Sequence, residues 1–439
     1  MRIHFASPHT AVDLCLLYVC RFSNYNVSVE TQKLQELNIE AWTYLLRRER
    51  DMLDVRVLDV AAEKLSASVA RYLLTLSQHP EPIALIGKTT TAAEVHFYDE
   101  YAKLLPDLVN RCWFSQQMGK DGWLVLDAPD DHHPPHTWSI QDVENIIEHL
   151  ALLHSTFWSE DMLLAGLPNY IGRDEEEDQH ATPKGKHTQK AIYRRTGRRA
   201  GLPASYLKFD LQLVGVQASA LMKATVGLQI LRGLGGWPGV LTEKHLDAFE
   251  TLLEQPDLMM KPLRQVPFTL MHGRPSIENW NIGIFDSVTL LGWQNISHGP
   301  GICDLIYFIE DFYIHCTGRN ADEKRAYYLY REWPIVEETL IDSYFIRLAE
   351  ELEADDYSAR QMRRYALPAA RCLYVLTYWL PTISEWFMHL PSNNRTWNKI
   401  QEMDDSELAS LGYTPLVGLR PHLQKVFARF LEAYNLLWM

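Results

Sequence analysis

The stretch Phe268-Thr269-Leu270-Met271-His272-Gly273-Arg274-Pro275-Ser276-Ile277-Glu278-Asn279-Trp280-Asn281-Ile282-Gly283 decides how the chain is read. Within eight residues it places His272, Arg274, Glu278 and Asn279. Downstream come Leu290-Leu291-Gly292-Trp293-Gln294 and then Gly299-Pro300-Gly301-Ile302-Cys303-Asp304-Leu305. Arginine stays protonated at neutral pH because its pKa lies above about 12, so Arg274 is a fixed cation and cannot act as a base. If buried it needs a partner, and Glu278, Asp304 and Glu94 are the candidate counter-ions. Acid and base groups for chemistry without metal or nucleotide stand nearby in Glu278, His272 and His298.

The segment resembles the active-site loop of the aminoglycoside phosphotransferase and choline kinase families, which share a protein-kinase-like fold. There His-Gly-Asp is followed, five residues after the Asp, by an Asn that binds magnesium. Here Arg274 stands at the aspartate position and Asn279 is kept. The families then expect a strand ending in Asp-Phe or Asp-Trp, whose carboxylate holds the metal; this chain has Gly292-Trp293. The later Gly-x-x-x-x-Asp-Leu element is matched with its structural Asp304 intact. The chain thus resembles a degenerate member that lacks both catalytic carboxylates.

Those two exchanges alter the chemistry the resemblance would otherwise imply. In phosphoryl transfer the protein positions the nucleotide while carboxylates and magnesium handle phosphate charge. Losing two anions and gaining a cation moves the centre by about three charge units toward positive. A general base contributes about 10² to 10⁴ in rate, and the metal's charge stabilisation adds several kcal/mol. Ordinary ATP-dependent transfer is not expected, and neither a cofactor nor a metal is expected.

Outward from this loop, the resemblance implies an α+β, bilobal protein-kinase-like fold with a small antiparallel-sheet N-lobe and a larger, mainly helical C-lobe. Residues 1–54 read as an N-terminal helical extension, 55–128 as the N-lobe and 129–439 as the C-lobe, which contains the degenerate loop (268–305) and a charged insertion (173–201). Val55 to Val60, Val69 to Leu76 and Pro82 to Lys88 read as strands, and Ala92 to Glu100 as a helix. The matching positions make Lys88 and Glu94 the remnant nucleotide-site pair. Between the first two strands the families place a flexible loop over the phosphates, but Glu63-Lys64-Leu65-Ser66-Ala67-Ser68 has no glycine to let backbone amides approach an anion closely. Gly122 to Asp127 resembles the strand leading to the hinge. The connector after it carries His132, His133 and His136, read as a solvated loop for want of a metal-ligand spacing.

A helix from Ser139 to Trp158, capped by Ser139 with Asp142 three residues on, resembles the Leu-Ala-x-Leu-His-x-x-x-Trp helix of a related, insect-type branch. Residues 173–201 turn from acidic to basic and read as a solvated insertion, with a lid closing over an anionic ligand as the sharper alternative. Trp379, Trp386 and Trp397 fall in helical stretches, where aromatics are usually core and can also wall an apolar pocket.

At 439 residues the chain suits two domains. A net charge of −14 argues against a nucleic-acid partner. The six cysteines, Cys15, Cys20, Cys112, Cys303, Cys316 and Cys372, lack paired metal-ligand spacing and read as reduced thiols of a cytoplasmic protein. The apolar run Ala11 to Cys20 is far shorter than the roughly 20 residues of a membrane span and has no well-placed cleavage site; no membrane association is expected. Three Asn-x-Ser/Thr triplets, at Asn26, Asn295 and Asn394, are common by chance.

Three functions follow. The first is a repurposed enzyme whose inter-lobe cleft cyclises, isomerises or dehydrates a small, largely apolar metabolite without metal or ATP. Arg274 is its polar anchor, Glu278 and His272 supply the chemistry, and Asn279, Trp280, Trp293, His298 and Asp304 line the pocket. The second is a non-catalytic pseudokinase that binds a ligand or scaffolds a partner. The third is a weak residual phosphotransferase using Asn279 and Glu278. A small molecule is the expected partner; the sequence does not fix the oligomeric state.

Overall fold

The computed structural model describes residues 38–47, 52–129, 132–164, 166–172, 214–283, 287–318, 323–352, 356–388, 396–398 and 415–438. The charged insertion 173–201 lies outside them, as does most of the N-terminal extension. In chain order the main elements are α1 (Ile39–Leu46), β1 (Val57–Lys64), β2 (Val69–Leu76), β3 (Ile83–Thr91), α2 (Ala92–Glu100), β4 (Cys112–Met118), β5 (Asp121–Asp127) and α3 (Ile140–Thr156). There follow α4 (Ala218–Gly233), α5 (Glu243–Glu254), α6 (Asp257–Arg264), β6 (Thr269–Met271), β7 (Trp280–Ile282), β8 (Val288–Leu290) and β9 (Ser297–Gly299). The chain ends with α7 (Ile302–Gly318), α8 (Glu323–Leu352), α9 (Leu367–Tyr374), α10 (Leu380–Met388) and α11 (Pro415–Leu436). The expected α+β class is what the chain adopts: a small antiparallel-sheet unit and a larger, mainly helical one.

The first unit comprises Met1–His149 and Pro275–Ile296, the second Leu150–Arg274 and Ser297–Met439. The division falls between Arg274 and Pro275, inside the loop with which the sequence reading began.

In the first unit, five antiparallel strands run in the order β1-β2-β3-β5-β4. Strand alternation sends successive side chains to opposite faces. Tyr72, Leu74, Leu76 and Leu85 join Trp42, Leu45 and Leu46 of α1 in one core, with the Trp42 and Tyr72 rings 4.8 Å apart. The Asn38 side chain caps α1 by accepting from the Ala41 amide. Ile86, Lys88 and Thr90 therefore share the other face, where α2 packs. Its approach is so close that a Cβ on Gly122 would come within 2.2 Å of Val95 Cγ2. Ser139 and Asp142 exchange hydrogen bonds at the start of α3, Ser139 N to Asp142 Oδ2 at 2.6 Å and Asp142 N to Ser139 Oγ at 3.1 Å, completing the cap read from the sequence.

In the second unit, α7 is buried on nearly all sides through Leu305, Ile306, Phe308, Ile309 and Phe312, as expected of a central helix. It packs on α8, α9 and α11. Trp379, Trp386 and Trp397 are buried in this unit, and the Trp397 indole donates to Gly236 O at 2.7 Å. A π-helical turn, Val375–Trp379, joins α9 to α10.

Candidate functional site

Lys88 and Glu94 are paired in the structure. Lys88, near the middle of β3, reaches Glu94 on α2 at 2.8–2.9 Å. Thr90, on the same face of β3, also donates to Glu94 through its hydroxyl. Glu94 is 1 % exposed, and a buried carboxylate is tolerable only when it is paired and hydrogen-bonded. A third donor completes the set: the Trp293 amide bonds to Glu94 Oε1 at 3.0 Å. Trp293 itself stacks on Phe97, with ring centroids 3.8 Å apart and planes 8° from parallel, and its indole donates to Leu290 O at 2.9 Å. Beside it, the Gln294 amide in its satisfied orientation accepts from Lys88 Nζ at 2.9 Å and donates to Gly292 O at 2.6 Å. Lys88 is thus held by two residues, Glu94 and Gln294, within its own unit.

Gly292 and Asn279, both singled out in the sequence, stand against each other. Gly292 adopts φ 81° and ψ 50°, the left-handed region that only glycine enters without strain. A Cβ there would lie 2.7 Å from Asn279 Oδ1. Asn279 is turned to a structural task. Its Nδ2 donates to Ser276 Oγ at 3.1 Å, and its backbone carbonyl accepts from the Leu291 amide at 2.8 Å. The stretch between β1 and β2 is a tight turn: the Leu65 and Ser66 amides both bond to Val69 O at 3.0 Å, and the Ser68 amide bonds to Ser66 Oγ at 3.2 Å. Three amides of that stretch are therefore already used.

Trp280 is buried like Trp293 and donates to Pro275 O at 3.4 Å. Glu278 is half-buried in the short turn Ile277–Asn279 of the same unit. In the connector, His133 donates its amide to Ile282 O at 2.8 Å and His132 pairs with Gly283, so both are tied to β7. Among the described residues no group of three or more His, Cys, Asp or Glu is placed to hold a metal.

The remaining sequence candidates, His272, Arg274, His298 and Asp304, belong to the second unit. Asp304 begins the first turn of α7 and accepts from the amides of His272 at 2.7 Å and Gly273 at 3.0 Å. It is 1 % exposed, and two amide donors are what such a carboxylate requires. His154 stands behind it, with Nε2 at 3.6 Å from Asp304 and Nδ1 at 2.8 Å from the Tyr344 hydroxyl. Gly301 lets the backbone pass, since a Cβ would meet the His154 ring at 2.6 Å. His272 is fully buried, and its Nδ1 accepts from the Arg274 amide at 3.3 Å, which makes that nitrogen part of the loop's scaffold. His298 lies on β9, its ring edge-to-face with Phe268 at 5.2 Å.

Arg274 points elsewhere. Its Nε donates to the Tyr307 hydroxyl at 2.9 Å. Tyr307, Tyr374 and Tyr378 form a triangle of rings: 307–374 at 5.5 Å and 307–378 at 5.6 Å edge to face, 374–378 stacked at 5.2 Å. The guanidinium's pKa is pushed up by Tyr307 foremost, with Tyr378 and Asp311 adding, against desolvation. Burial pushes the Tyr307 and Tyr374 phenols well up. At neutral pH the cluster is therefore one cation among protonated phenols, with the Asp311 carboxylate near.

The sequence reading missed these tyrosines. One signal was available for Tyr307: it follows Asp304 by three residues on α7 and so shares its face. The helix that holds the loop's amides through Asp304 also holds its arginine through Tyr307.

No protein-family model matches the chain, and no curated protein matches it. Among solved structures, a spectinomycin phosphotransferase aligns over 91 % of this chain and 100 % of its own, at 12 % identity and a TM-score of 0.46. An aminoglycoside phosphotransferase from Alicyclobacillus acidocaldarius aligns over 86 % and 92 %, at 11 % identity and a TM-score of 0.41. An ethanolamine kinase from Plasmodium vivax aligns over 97 % of both chains, at 10 % identity and a TM-score of 0.41. The chain is similar to these small-molecule kinases, at identities that concern fold alone.

Proposed function

We propose that this protein is a repurposed small-molecule-kinase fold that acts on a small, largely apolar metabolite without metal or ATP, by cyclisation, isomerisation or dehydration, with Arg274 as its polar anchor. The observation that carries the reading is the Gly292–Asn279 contact. Where a metal-binding carboxylate would be needed stands a left-handed glycine, and its would-be Cβ collides with the one ligand residue that was kept. An arginine oriented by a phenol is a fixed donor. It can stabilise negative charge developing on a carbonyl or leaving oxygen without reorganising during reaction. The protein works in the cytoplasm with reduced thiols, in keeping with the free Cys112, Cys303 and Cys372; among the described residues no helix is long and apolar enough to cross a membrane.

A non-catalytic, ligand-binding or scaffolding pseudokinase is the second reading. It is favoured by the interlocked Lys88–Glu94–Trp293 group, in which Glu94 is consumed by internal partners. A residual phosphotransferase is disfavoured by the same closure at Asn279.

Calorimetric titration of the full chain with ATP, with and without magnesium, tests the shared premise. The expected result is no magnesium-dependent heat. Tight magnesium-dependent binding would overturn the premise and restore phosphoryl transfer.

A further inference from the structure

We infer that the Arg274–Tyr307–Tyr374–Tyr378 cluster is a binding site for an aromatic or conjugated carboxylate. This deepens the function proposed above and rests on it.

The cluster is donor-rich. Arg274 supplies a guanidinium whose Nε is fixed by Tyr307. The phenols of Tyr307 and Tyr374 are kept protonated by burial, so they remain hydroxyl donors. Tyr374 carries the decisive observation. It is 5 % exposed, and its hydroxyl has no hydrogen-bond partner among the described residues. A buried hydroxyl left unsatisfied costs free energy that a phenylalanine at the same place would not. It lies in a cluster whose other members, Arg274, Tyr307, Tyr378 and Asp311, are each partly exposed. An acceptor oxygen delivered by a ligand would satisfy it.

The rings define the rest of the ligand. Tyr374 and Tyr378 stack at 5.2 Å with planes 16° apart, and Tyr307 stands edge-on to both. The π-helical turn Val375–Trp379 carries Tyr378 directly after the α-helix that carries Tyr374. Such turns are frequent at functional sites. An aromatic wall with an oxygen-seeking edge suits a flat, conjugated body with an oxyanion at one end. Tyrosine walls alone would also suit an ammonium ion, and Asp311 would favour it. Arg274 decides against it, because a guanidinium bonded to one of the three rings repels a second cation and pairs with a carboxylate.

The test uses the full-length protein with two probes of similar shape and opposite charge, cinnamate and cinnamyltrimethylammonium, followed by ligand-observed NMR and calorimetry. Cinnamate is expected to bind and the ammonium not. Tyr374→Phe removes one hydroxyl and nothing else from the core; it should weaken cinnamate by about tenfold while leaving the thermal unfolding midpoint unchanged or higher. Arg274→Lys, which keeps charge and loses the planar fork, should weaken cinnamate as well. Failure of cinnamate to bind, equal binding by the ammonium, or equal affinity in Tyr374→Phe would each overturn the inference. If any of these occurs while the ATP titration stays blank, the ligand class alone falls. Magnesium-dependent ATP binding would remove the reading beneath it.

Discussion

At the scale of single residues, Gly292 and Arg274 are held in different ways. Gly292 is locked in by its own conformation and by Asn279, so an acid should be poorly tolerated there. Gly292→Asp is expected to lose about 1–3 kcal/mol of stability, from left-handed strain and the displaced amide together. Adding Asn279→Ala should recover the steric part and leave the backbone part. Urea unfolding of both variants measures this, and an unchanged midpoint in the single variant would show that the space exists after all. Arg274, by contrast, has its guanidinium held by a side chain of α7, the Tyr307 hydroxyl. That difference also explains what the sequence disclosed. Lys88 and Glu94 are six residues apart, and Asp304 sits in a recognisable element, so both were legible. Tyr374 and Tyr378 follow Arg274 by about a hundred positions, and nothing in a run of helical aromatics marks which of them turns toward a distant arginine.

At the scale of elements, the strands that alternate apolar and polar residues were readable, and β4 was not. Its Gln116, Gln117 and Met118 are exposed on an edge strand, which supplies no buried period to detect. Capping was the more dependable signal, as Ser139 and Asp142 show. A second capping box, at α5, makes a prediction about pH. Thr242 caps the helix, and His245 returns the favour by accepting the Thr242 amide on Nδ1 at 3.1 Å. A nitrogen that accepts cannot carry a proton, and burial lowers the His245 pKa. The sign follows from linkage: the unfolded state binds the proton that the folded state resists, so this contribution is complete above about pH 6.5. It declines as pH falls below that value, until the folded histidine titrates too. His422, also lowered by burial, acts in the same direction. Stability measured by urea at pH 7.5 and 5.5 should therefore fall with acidification. His245→Gln, which keeps an acceptor for the cap, should flatten part of that slope; an unaltered slope would assign it to other groups.

At the scale of the molecule, no compositional mark foretells that the contact division runs between Arg274 and Pro275, because it depends on which distant segments each half of one loop touches. The helical unit is held by something equally long-range. Glu310 on α7, 1 % exposed, takes a bidentate grip from Arg429 on α11, at 2.5 and 3.2 Å. Arg429 also approaches Glu337 on α8 at 3.7 Å, and Glu337 is bonded by Arg371 of α9. Desolvation lowers the Arg429 pKa, but Glu310 and Glu337 more than reverse it, so the guanidinium stays charged. The four helices of this network include α7 and α9, which present Tyr307 and Tyr374, so the network also sets the spacing of the proposed ligand site. Buried ion pairs add little over an apolar replacement, yet breaking one side is costly because the other charge stays behind. Arg429→Met should accordingly cost about 3–5 kcal/mol, and pairing it with Glu310→Gln should return a large part of that by removing the stranded charge. Urea unfolding of the two variants separates these terms. A loss below about 0.5 kcal/mol in Arg429→Met, the range of ordinary surface changes, would mean that Glu310 finds water or another cation, and that the tyrosine triangle is spaced by apolar packing alone.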